Sequence, residues 1–85
     1  MYQIVLASCG NPDIGQNPNN PMSPTKIVVV NSIEECQVVA SKYVDDYDLG
    51  AGNYAGGQVY QDGDYIGRVS YNGRFWDKYS KYGRL

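Results

Sequence analysis

Two dipeptides, Asp62-Gly63 and Asn72-Gly73, set the shape of the C-terminal third of the chain. Asp-Gly and Asn-Gly are favoured centres of two-residue type I′ hairpins, because both central positions need positive φ. The flanking runs Gln58-Val59-Tyr60-Gln61, Asp64-Tyr65-Ile66-Gly67-Arg68-Val69-Ser70-Tyr71 and Arg74-Phe75-Trp76-Asp77 are strand-like, which predicts a three-stranded antiparallel meander. Two-residue turns would pair Tyr60 with Tyr65, Val59 with Ile66, Tyr71 with Arg74, Ser70 with Phe75 and Val69 with Trp76. Alternation then places Val59, Ile66, Arg68, Ser70 and Phe75 on one face and Tyr60, Tyr65, Val69, Tyr71, Arg74 and Trp76 on the other. A bulge at Gly67-Arg68 would instead bring Ile66 and Val69 to the same side. Both registers stand open at this level.

Upstream lies one helix. Ser32-Ile33-Glu34-Glu35 matches a capping box, in which Ser32 caps the amide of Glu35 and Glu35 bonds back. Ile33, Cys36, Val39, Ala40, Tyr43, Val44 and Tyr47 then recur at three- and four-residue spacing and form an apolar stripe. Gly50 is the expected stop, since a helix C-terminus commonly needs a residue of positive φ. Three acids near that end, Asp45, Asp46 and Asp48, oppose the helix dipole.

Tyr2-Gln3-Ile4-Val5-Leu6-Ala7 reads as a first strand; it has neither the basic flank of a signal peptide nor the length of a membrane span. Residues 9–25 contain all four prolines, which remove amide donors and exclude helix, so an extended surface loop is expected, either functional or mobile. The β-branched run Ile27-Val28-Val29-Val30 suits a strand covered on both faces, or the segment leading into the helix. The glycine-rich stretch 50–57 follows a helix and enters a strand, the reverse of a phosphate-cradling loop, and reads as a connector.

With 85 residues the chain has room for one domain, expected to be a two-layer α+β fold: one antiparallel sheet, with the C-terminal meander, packed on a single helix. Such a short chain buries a modest share of its surface, which leaves a homodimer open as a further source of stability. Cys9 and Cys36 are too few for a disulfide framework and are expected as free thiols in a cytoplasmic protein. Residues 78–85 are expected to form a flexible tail.

The chain contains no histidine, so the commonest general base and metal ligand is missing. No base is signalled beside either cysteine, and Asp62 and Asp64 already have turn roles, so no catalytic, metal or cofactor residues are expected. Charge is unevenly spread: residues 1–67 carry a net charge of −6 and residues 68–85 of +4. That polarity either orients the protein on a charged partner or is neutralised within the fold. The basic, tyrosine-rich C-terminal third is the best binding constellation, with Tyr60, Tyr65, Arg68, Tyr71, Arg74 and Trp76 as candidates and Tyr65, Tyr71 and Arg74 foremost. These residue types fit a protein interface. They also fit a single-stranded nucleic-acid platform, where aromatic rings stack on bases and arginines track phosphates, or ordinary sheet packing in a structural or accessory protein.

Residues 32–77, with the capped helix, the connector ending Gly56-Gly57-Gln58-Val59 and the hairpin Val69-Ser70-Tyr71-Asn72-Gly73-Arg74-Phe75-Trp76, resemble small uncharacterised proteins of phages and other bacterial mobile elements. The layout is also similar to that of some small phage anti-CRISPR proteins. What the resemblance implies is a non-enzymatic inhibitor that docks on a host defence complex, with a Cas or other defence-complex subunit as partner. It transfers no functional residue.

Overall fold

The structure, a computed structural model, describes residues 1–21 and 23–79. The chain forms β1 (Tyr2–Leu6), β2 (Lys26–Val30), α1 (Ile33–Asp46), β3 (Gln58–Gln61), β4 (Asp64–Val69) and β5 (Phe75–Asp77). From Ser80 on, the tail expected at 78–85 lies outside the described residues.

The five strands make one sheet in the order β2-β1-β3-β4-β5, and every neighbouring pair is antiparallel. β2 and β3 therefore run parallel to each other on either side of β1, and α1 is the crossover between them. The helix covers one face only. Period-two alternation sends Ile4 and Leu6 of β1 into that layer, where they meet Val30, Val59 and Val69 from the other strands and Cys36, Ala40 and Tyr43 from α1. Fully burying a side chain the size of Ile4, Leu6, Val59 or Val69 contributes about 1.5–3 kcal/mol each relative to exposure.

The helix begins where its cap sets it. Ser32 is extended and its Oγ accepts from Glu35 N at 3.1 Å. Glu35 does reach back, but to Asn31 N (3.1 Å), one residue beyond the expected partner. The stop differs from expectation. The left-handed residue is Asp48 (φ 51), and Gly50 is not among the positive-φ positions. Asp48 N donates to Asp45 O and Leu49 N to Val44 O, the paired bonds of a Schellman end, and Leu49 folds back into the core. Burial of Leu49 decides the stop, because a chain running straight on to Gly50 would leave it in water.

The β3–β4 hairpin forms as expected on Asp62 (φ 52) and Gly63 (φ 90), with Tyr60 opposite Tyr65. The register then shifts: Val59 pairs with Gly67, leaving Ile66 as the extra residue of a bulge. Ile66 and Val69 consequently both pack against the core, which is the bulged alternative placed one residue earlier. The β4–β5 turn departs from the two-residue form. Gly73 (φ 85) alone takes positive φ, Ser70 N donates to Arg74 O, and three residues form the loop. That offset corrects the pairing to Val69 with Phe75, Arg68 with Trp76 and Gly67 with Asp77. Val69, which the unbulged register places beside the tyrosines, is fully buried in the core instead.

β2 leads into α1, as one of the two readings had it, but the cover on both faces is corrected. β2 is an edge strand covered by α1 on one face, while Ile27 and Val29 are 66% and 51% exposed on the other. The long loop is tied down by side chains. Ser23 Oγ lies 2.7 Å from Ser8 Oγ and 2.6 Å from the Tyr43 hydroxyl, which donates to Pro24 O at 2.8 Å. Asn53 Nδ2 donates to Cys9 O (2.9 Å) and Gln16 Oε1 (2.8 Å), joining the loop to the connector after α1. Both cysteines are free, and burial, with the charge of Glu35 adding to it, pushes the Cys36 thiol up.

Candidate interaction surface

The sheet face turned away from α1 is assembled by register. Opposed residues of an antiparallel pair point to the same side. Gln3 pairs with Val29 and Tyr60, Tyr60 with Tyr65, Val5 with Ile27, Gln58 with Arg68, and Arg68 with Trp76, which puts all of them on one surface. It has an aliphatic end and an aromatic end. At the first, Gln3, Val5, Ile27, Tyr60 and Gly63 line a shallow depression of about 300 Å³. Beside it the Tyr60 and Tyr65 rings meet edge to face at 5.7 Å, a geometry that holds both rings in place.

At the other end Arg68 is committed within the chain. Its Nε donates to Gly56 O (3.1 Å) and its guanidinium lies 5.7 Å from the centre of the Tyr54 ring. Trp76 is half-buried, and its indole Nε1 donates to Ser70 Oγ at 3.3 Å. Tyr54 is buried, its hydroxyl donates to Val69 O (2.9 Å), and desolvation pushes its pKa up to about 12 although Arg68 acts to lower it.

Of the six residues singled out from sequence, the structure brings Tyr60, Tyr65, Arg68 and Trp76 together on the strands. Tyr71 and Arg74 lie outside the strands, in and beside the β4–β5 loop; the Tyr71 ring stands 6.5 Å from that of Tyr54. That loop leans on α1, with Gln37 Nε2 donating to Gly73 O at 3.0 Å. The aliphatic half of the surface, Val5, Ile27 and Val29, was not legible from sequence, because a run of four β-branched residues has the same apolar character on both faces. Among the described residues, no three Cys, Asp or Glu side chains gather as a metal site, and no helix is long and apolar enough to cross a membrane.

Fold and surface together define a small α+β protein with an open, aromatic and aliphatic sheet face. Compared with known families, curated proteins and solved structures, the chain matches none.

Proposed function

We propose that this chain is a non-enzymatic docking protein whose contact surface is the outer face of the sheet, centred on the meander of β3, β4 and β5. What carries the reading is the composition of that face: the Tyr60–Tyr65 pair flanked by Ile27 and Val29 on one side and by Arg68 and Trp76 on the other. Tyrosine, tryptophan and arginine dominate the energetics of protein interfaces. Among the described strand residues on this face Arg68 is the one charge, and its guanidinium is already engaged. A track for phosphates needs several free cations, so this geometry favours a protein partner over a nucleic acid. The further step, an inhibitor docked on a Cas or other defence-complex subunit, is supported by the resemblance in layout alone.

Capture from a bacterial lysate on the immobilised protein, read by mass spectrometry, tests this. Tyr60→Ala and Tyr65→Ala are expected to keep the circular dichroism spectrum and to weaken capture at least tenfold, the loss typical of a central anchor. Val38→Ala, on the exposed side of α1, is expected to leave capture unchanged. The reverse pattern would move the site to the helix. A shift of labelled single-stranded DNA or RNA that collapses as salt rises would replace the protein partner with a nucleic acid.

A further inference from the structure

We infer that β2 is a homodimerisation edge, along which two copies pair antiparallel about Val28 and join their sheets. The directions of its main-chain groups follow from β1. Met1 O accepts from Asp62 N and Val5 O from Gly57 N, so the odd residues of β1 bond toward β3 and the even ones toward β2. Tyr2, Ile4 and Leu6 therefore bond to Val30, Val28 and Lys26, and the alternation of an antiparallel ladder turns the N–H and C=O of Ile27 and Val29 outward. No strand flanks them on that side among the described residues.

Apart from Lys26 at its start, this edge lacks the usual protections. Its pairing with β1 is unbroken by a bulge, it holds no proline, and its one charge, Lys26, stands at its first residue. It is also self-complementary, the requirement of a two-fold interface. With Val28 opposite the partner's Val28, Ile27 falls opposite the partner's Val29 and Val29 opposite the partner's Ile27. The outward-facing main-chain groups of both copies then meet one another, and the exposed aliphatic side chains form cross-strand pairs.

Charge sets the same register and selects a second copy over an unrelated peptide. Lys26 lies in the helix layer, its Nζ 5.4 Å from the centre of the Tyr47 ring. In the proposed pairing it stands opposite the partner's Val30, just before the acidic first turn of α1 with Glu34 and Glu35, and symmetry makes the contact twice. The groove between β2 and α1, lined by Val28, Val39, Tyr43 and Tyr47 together with Lys26, Lys42 and Asp46, would be covered by the partner's copy in this pairing.

Sedimentation of the full chain from micromolar to millimolar concentration is expected to show the 9.4 kDa monomer passing to twice that mass. Over the same range the Ile27 and Val29 amides should become protected from hydrogen exchange. Val29→Pro removes an outward N–H and no bond to β1, so it should leave a folded monomer. If Val29→Pro fails to fold, Lys26→Glu decides: it should weaken dimerisation at least tenfold, and Lys26→Glu with Glu34→Lys should restore it. A monomer at millimolar concentration overturns the inference, as does a dimer that ignores Lys26→Glu or leaves Ile27 and Val29 exchange independent of concentration.

Discussion

The ring of Phe75 occupies the space that Gly67 leaves empty. A Cβ on Gly67 would stand 2.7 Å from Phe75 Cζ and 2.9 Å from Cε1, and closer still to the Trp76 carbonyl oxygen. Gly67→Ala would therefore push β5 off the sheet, with an expected loss of about 1–3 kcal/mol, the usual range for overpacking. A urea denaturation midpoint equal to that of the unaltered chain would show that β5 can shift without penalty.

The cap on α1 is a separate test, since Ser32 touches none of these residues. Removing its Oγ leaves the Glu35 amide without its acceptor, and Ser32→Ala should cost about 1 kcal/mol. Denaturation followed by circular dichroism reads this directly.

At the other end of the helix, Asp48 holds a left-handed conformation that an L-residue reaches only with strain, and it adds negative charge where the dipole is already negative. Asp48→Gly relieves both. The expected gain is about 0.5–1 kcal/mol, read as a higher midpoint; a lower one would mean that the aspartate makes a compensating contact.

Tyr54 links stability to alkaline pH. Its folded pKa, about 12, exceeds the ordinary 10.0, so the folded chain holds a proton that the unfolded chain gives up. The stabilisation is whole below pH 10 and is lost as pH rises through about 12. Tyr54→Phe should flatten that alkaline decline. Near neutral pH it should also destabilise the chain by about 1 kcal/mol, because Val69 O loses the hydroxyl that donates to it. Denaturation midpoints measured across this pH range distinguish the two effects.

What could be read from the sequence was whatever a few neighbouring residues decide among themselves. Ser32 and Glu35 marked the start of α1, the three- and four-residue spacing of Cys36, Ala40 and Tyr43 marked its buried side, and Asp62-Gly63 produced the first hairpin with Tyr60 facing Tyr65. Asn72-Gly73 carried the same local signal yet formed a three-residue loop, because pairing Val69 with Phe75 buries Val69 in the core and packs Phe75 against it. Tertiary structure alone decided the place of each strand in the sheet: β3 at the centre, β1 between it and β2, β2 at the edge with Ile27 and Val29 uncovered, and the bulge at Ile66. Those outcomes depend on which distant strand lies alongside and on the single face that one helix can cover. A strand's own residues specify its alternation, whereas its partners specify which side is core and which is left for contact.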